Sequence, residues 1–355
     1  MKSLKCLLAV LLILLPGCQS QEKTPQVESK KEETVIPFDE DQCFEYNYQQ
    51  LTEKQQQLYE EMFNIVADLK NEGQVSYKDI KDINIVQEAL LNDHPELFYL
   101  DSVIIYDDCR LEVEYSFTEE EISDYQKQIQ NRQEEIFQKM PRSDDYSKIK
   151  YIYDYVIDHV SYDENSKNNQ LLISAMVDES TVCMGYAKMM QYLLQRAGFD
   201  TALIVGGFID ENSQIQRHAW NMIEYNDDYY YIDATWGDDE ENGMIINDYF
   251  MFSSDNMLKL YKPEGQYETT SNGEDTYFKK KGLYFQSYDL STVAQAVNQE
   301  NKVLEMQLSQ DIYEYVKNRI INTNDIFDIL VQANVYADSI QYSYNDNFGI
   351  IRVTW

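Results

Sequence analysis

Thr181-Val182-Cys183-Met184-Gly185-Tyr186 opens a stretch that passes through His218-Ala219-Trp220-Asn221 and ends at Tyr231-Ile232-Asp233-Ala234-Thr235-Trp236. It supplies a cysteine, a histidine and an aspartate in chain order, the inventory of a thiol nucleophile, its base and an orienting group. Ser180 and Thr181 are N-cap residue types. Tyr186, Met189, Met190, Leu193, Leu194 and Ala197 then recur at helical spacing up to Gly198, a C-cap glycine. The spacing predicts a helix over 183–197 with Cys183 in its first turn. There the unpaired backbone N–H groups and the positive end of the helix dipole stabilise a thiolate and can receive an oxyanion. Taken alone, Cys183 reads more simply as a small buried hydrophobe.

Beyond the helix the pattern predicts an antiparallel meander of strands over 201–207, 216–225 and 229–236. The tip at Asn226-Asp227 decides the geometry. A tip of two or four residues pairs Trp220 with Asp233 and His218 with Thr235. His218 and Asp233 then share a face, roughly 7 to 8 Å apart along the diagonal. A three-residue tip sends them to opposite faces. Separately, His218 reads as a satisfied core histidine and Asp233 as a strand-end turn residue. Their joint occurrence with Cys183, on a helix start and two adjacent strands, is what points to chemistry. His94, before a proline at a helix end, and His159, on a charged helix flank, read as structural or solvated.

These three blocks resemble the bacterial transglutaminase-like proteins, a branch of the papain-like thiol enzymes. The resemblance covers roughly residues 146–255 and extends loosely to Asp93-His94-Pro95-Glu96-Leu97-Phe98-Tyr99. It implies an α+β core in which a helix carrying the cysteine packs on an antiparallel sheet carrying the histidine and aspartate. It further implies Cys183 as nucleophile, His218 as general base and acid, and Asp233 as the group that fixes the histidine tautomer. No cofactor is implied, and the substrate class would be an amide of a peptide or protein, attacked by hydrolysis or acyl transfer. Gln170 falls where many relatives carry a polar residue ahead of the cysteine loop, making it a candidate oxyanion donor; a surface glutamine is the plainer reading. Trp220 and Trp236 flank the triad and either wall an acyl cleft or pack the core. The chain departs from the pattern at Glu179-Ser180-Thr181, where a glycine is common, and at Met184, a position often polar, which bears on substrate fit. A surface binding or assembly module that keeps this fold without turnover is the alternative reading.

At the start of the chain Lys2 and Lys5 precede a nine-residue apolar run, Leu7 to Leu15, which ends in Leu15-Pro16-Gly17-Cys18. Nine residues are too few to span a bilayer, which takes about 20. The pattern reads as a leader ending in a lipobox with Cys18 as the lipidated residue, or as an ordinary secretory signal with Cys18 incidental. Residues 19–42 are polar and suit a disordered tether spanning roughly 25 to 30 Å. The expectation is a bacterial extracytoplasmic protein anchored to a membrane by lipid. Its segments are a signal peptide (1–17), the tether (18–42), an N-terminal α+β domain (43–140), a transglutaminase-like domain (141–270) and a small C-terminal α+β domain (271–355).

Composition narrows the partners. A net charge of −34 excludes a nucleic-acid binder that works through clustered Lys and Arg. Cys43, Cys109 and Cys183 remain after the leader and Cys18, an odd number that leaves at least one free thiol. A Cys43–Cys109 disulfide and two unpaired thiols both fit. Three histidines, with no C-x-x-C or H-x-x-x-H spacing, give a zinc site little support. The acidic run Asp238-Asp239-Glu240-Glu241 lacks the spacing of a calcium loop and reads as a solvated face.

Overall fold

Capping chemistry written in the sequence starts the first helices. Thr52 and Gln55 form a capping box ahead of helix Glu53–Ala67, and Thr118 with Glu121 does the same for the 21-residue helix Glu119–Lys139. Helix Ile80–Asp93 stops before His94-Pro95, because the residue preceding a proline avoids helical backbone. A computed structural model describes residues 44–355 except 211 and 241. The leader, the whole tether with Cys18, and Cys43 lie outside the described residues, which all fall in one compact unit spanning 40–355.

The hairpin Leu100–Ile105 and Arg110–Tyr115 gains a third strand, Glu72–Gln74, too short to show in the sequence pattern. Helix Asp145–His159 buries Ile149, Ile152, Tyr153 and Val156. One apolar cluster runs from Leu58 to Met251, so the segment before position 140 shares its core with the helices that follow.

The central sheet has the order Tyr261–Pro263, Thr201–Ile209, Ile215–Tyr225, Asp228–Ile232, every neighbour antiparallel. Its two faces are distinct. Ala219 packs with Leu203 against Ala187 of the helix Cys183–Arg196, whereas Trp220 and Met222 join Ala202, Ile204 and Tyr261 on the far side. This alternation is the period-two rule applied to a sheet buried on both faces.

The C-terminal region builds a second sheet from Tyr284–Phe285, Val303–Leu308, Ile350–Thr354 and Gln341–Asn345, with helices Gln310–Asn322 and Asp325–Gln332 beside it. It has its own apolar cluster, yet Phe348 and Ile350 belong to the cluster behind the central sheet. The ring of Phe348 lies 5.7 Å from that of Phe252, tilted by 28°. A buried ionic clasp adds to this seam: Arg352 donates from Nε to Glu305 at 2.8 Å and from Nη2 to Asp248 at 2.7 Å.

Deleting one member of such a clasp strands the others without a counter-charge. Arg352→Ala is therefore expected to lower stability by about 3–5 kcal/mol, read as a reduced urea midpoint. An unchanged midpoint would show that the clasp contributes nothing.

Candidate active site

The helix Cys183–Arg196 begins at the cysteine itself, with Val182 rather than Ser180 or Thr181 as its N-cap. Ser180 and Thr181 instead pair in parallel with Ser161 and Tyr162. Thr181 is turned inward: Oγ1 donates to the Asn169 carbonyl at 2.6 Å and lies 2.6 Å from Ser174 Oγ. Because valine offers no oxygen, no side chain caps the first turn beside the thiol. Gly185 is required by the same packing, since a Cβ there would sit 1.9 Å from Thr181 Oγ1.

The hairpin that carries the histidine has a two-residue tip. Asn226 and Asp227 take φ of 53° and 58°, the left-handed pair of a type I′ turn, and Tyr225 pairs with Asp228. The even tip puts His218 and Asp233 on one face. His218 is 7% exposed, and its Nε2 lies 2.6 Å from Asp233 Oδ2. Cys183, at the start of its helix, is near enough to the same imidazole to act on it electrostatically. With Nε2 taken by the aspartate, Nδ1 is the nitrogen left for the thiol. Burial works against a charged imidazole here, but the Asp233 carboxylate, and after it Cys183, outweigh that effect and raise His218 to about 10.

Asp233 differs in one respect from the sequence expectation. The strand ends at Ile232, not Trp236, and Asp233 caps the helical turn Ala234–Gly237. The reason is local competition: an aspartate that accepts from N–H groups two and three residues on favours a cap over continued strand. Its Oδ1 accepts from Thr235 N at 3.0 Å and Trp236 N at 3.2 Å. Its Oδ2 accepts from His218 and from the Tyr261 hydroxyl at 2.8 Å. Its own N–H donates to the Tyr249 carbonyl at 2.9 Å. The buried carboxylate is thus satisfied on both oxygens.

Two contributors were not read from the sequence as part of the site. Asn221 donates from Nδ2 to the Ala187 carbonyl at 2.9 Å, pinning the histidine strand to the cysteine helix. Tyr261 opens a short edge strand inside a segment whose Gly, Ser and Thr content reads as a loop. Pro263 was the available signal, because proline within a sheet is confined to edges.

The remaining sequence candidates fall in different places. Trp220 is fully buried with its ring nearly parallel to His218 at 6.1 Å, so it backs the imidazole and does not line an opening. Trp236 is 43% exposed and stacks on Phe208 at 4.5 Å. Gln170 is exposed, next to Asn169, whose carbonyl accepts from Val182 N at 3.2 Å. His94 sits between Glu45 and Glu96, and His159 stacks on Tyr155. The acidic run lies closer to the site than a merely solvated face would. Tyr186 Oη lies 2.7 Å from Asp238 Oδ2, Glu240 accepts from Tyr162 N at 2.7 Å, and burial pushes Asp238 up to about 6. Among the described residues no group of three or more His, Cys, Asp or Glu is arranged to hold a metal ion.

A helix-start cysteine near a buried histidine–aspartate pair, on a helix packed against an antiparallel sheet, gives an α+β fold of the transglutaminase-like, papain-like class. Residues 134–235 match the family model of the transglutaminase-like superfamily. No curated protein matches the chain. Among solved structures it is similar to a TGase at 16% identity, covering 46% of this chain and 50% of that one with a TM-score of 0.28. A candidate cysteine protease from Cytophaga hutchinsonii is 14% identical, with 41% and 64% covered and a TM-score of 0.27. The periplasmic domain of TgpA from Pseudomonas aeruginosa, bound to ethylmercury, is 13% identical, with 40% and 66% covered and a TM-score of 0.25. This chain therefore spans between 50% and 66% of the length of these structures.

Two measurements probe this geometry. Gly185→Ala is expected to cost about 1–3 kcal/mol by overpacking against Thr181, seen as a lowered melting midpoint. The second concerns pH. Because the folded value for His218 is raised from 6.5 to about 10, the stability it contributes is complete below pH 6.5. It declines as pH rises and is lost above about 10. Denaturation midpoints from pH 6 to 10 should fall accordingly, and Asp233→Asn should flatten that slope; an identical slope in the variant contradicts the assignment.

Proposed function

We propose that this chain is a thiol-dependent enzyme acting on amide bonds of peptides or proteins, held at a membrane face through a lipidated Cys18. The observation that carries the reading is one buried imidazole hydrogen-bonded to Asp233, with the helix-start Cys183 near enough to act on it electrostatically. In the reactive form the thiol proton has passed to His218 and the negative charge is on Cys183. The thiolate attacks the amide carbonyl carbon, and the C=O electron pair moves to oxygen. The N–H groups of the uncapped helix start face the developing oxyanion. His218 then gives its proton to the leaving nitrogen as the C–N bond breaks, releasing ammonia or an amine and leaving a thioester on Cys183. Neutral His218 takes a proton from the incoming water or amine, which attacks the thioester; the thiolate departs and the ion pair is restored. Water yields a hydrolase, and an amine yields a cross-link. The leader pattern before Cys18 supports the anchoring, and the acidic balance argues against nucleic acid as a partner.

The test uses Cys109, a half-buried free cysteine, as an internal reference. Iodoacetamide at pH 6 is expected to label Cys183 about tenfold faster than Cys109 or more, because only an ion-paired thiol is substantially ionised there. Equal rates would sink the enzyme reading and favour a binding module. Glutamyl peptides offered with and without a dansylated amine then separate ammonia release from amine incorporation. His218→Ala should lower either turnover by on the order of 10²–10⁴-fold.

A further inference from the structure

Three tyrosines lie close enough to Asp233 for its charge to act on them: Tyr153, Tyr249 and Tyr261. Their hydroxyls are committed differently. Tyr153 Oη donates to the Ile246 carbonyl at 2.6 Å, and the Tyr249 hydroxyl makes no hydrogen bond to Asp233. Only Tyr261, among these, donates to the carboxylate, and it does so at Oδ2, the oxygen that also holds His218. The two donors therefore divide one acceptor.

The fold fixes Tyr261 in that position with little freedom. Its ring is fully buried, 4.9 Å from Trp220 and 5.1 Å from Phe208 at 80°. Its backbone pairs with Phe208, and the next two residues pair with Gly207 and Gly206. A Cβ at Gly206 would lie 2.2 Å from the Lys262 carbonyl, so a glycine is what admits this edge strand. Gly206 is also the register partner of His218 on the other side. One backbone position thus seats both donors.

We propose that Tyr261 is a positioning residue for His218: its hydroxyl occupies part of Asp233 Oδ2 and thereby sets how strongly the carboxylate holds the imidazole proton. A hydrogen bond from a neutral donor draws charge away from the acceptor oxygen, which weakens the second bond made to it. Without the hydroxyl, Oδ2 serves the imidazole alone and the imidazolium is harder to deprotonate. For turnover, an imidazolium held too tightly is a poor acid toward the leaving nitrogen, so the tyrosine keeps the proton transferable. The groups that act on this proton are Asp233 on the strand end, Cys183 on the helix and Tyr261 on the edge strand. The inference rests on the thiol–imidazole pairing put forward above.

With three histidines in the chain, histidine labelled at Cε1 allows His218 to be titrated directly by NMR in the full chain. In the unaltered protein its midpoint should lie well above the ordinary histidine range; a midpoint near 6.5 would defeat the pairing itself and not this inference alone. Tyr261→Phe should raise the midpoint by about half a pH unit or more, a fraction of one charge-assisted hydrogen bond. The same substitution made in an Asp233→Asn background should leave the midpoint unmoved, because the route through the carboxylate is gone. A high midpoint in the unaltered protein that stays put or falls in Tyr261→Phe overturns the proposal, as does an equal rise in the Asp233→Asn background. Should Tyr261→Phe fail to fold, 3-fluorotyrosine placed at 261 keeps the hydroxyl as a stronger donor. It should then lower the midpoint, and a rise or no change there also overturns the proposal.

Discussion

The hydrogen bond between His218 Nε2 and Asp233 Oδ2, made in a setting where both side chains are almost wholly buried, is the constraint around which the domain is arranged. An ionised pair is stable in such a place only if the remaining lone pairs are used. That requirement explains otherwise unrelated details. The strand must stop at Ile232 so that the N–H groups of Thr235 and Trp236 can reach Oδ1. An edge strand must approach so that Tyr261 can reach Oδ2. The hairpin tip must hold two left-handed residues so that both partners face the same way.

The cysteine is brought to this pair from a separate layer. Its helix packs on the face of the sheet opposite Trp220, through Ala187, Leu203 and Ala219, and is tied there by Asn221. Side-chain parity along the strand does the rest: Ala219 and Asn221 turn toward the helix, while His218 and Trp220 turn the other way. Small residues at Ala187 and Ala219 allow the helix to approach the sheet closely. The C-terminal hairpin completes the opposite wall with Phe348 and Ile350, so the aromatic backing of His218 draws on sequence far from the triad.

Much of this was legible because local chemistry writes it. The tip at Asn226-Asp227 and the helical stripe from Tyr186 to Leu194 each act over a few residues. What escaped depends on tertiary context. Val182 displaced better capping residues because Thr181 was taken by Ser174 and Asn169. Asp233 ended its strand early because its side chain had N–H groups to satisfy. Tyr261 was hidden in a polar segment, since a three-residue edge strand leaves no periodicity to read. Trp220, legible as an aromatic near the triad, could not be assigned to core or cleft until its burial was known.

Asp233 does two jobs that chemistry does not tie together. As an N-cap it needs only a short side-chain oxygen, and asparagine or serine would serve the turn Ala234–Gly237 nearly as well. As the partner of His218 it needs a full negative charge. A lineage that relaxed selection on turnover would thus be free to drift at 233 among capping residues with little harm to the fold, whereas one that kept turnover would not. The residue found at this one position in related sequences is therefore a record of whether the chemistry was still being maintained, separable from whether the domain still folds.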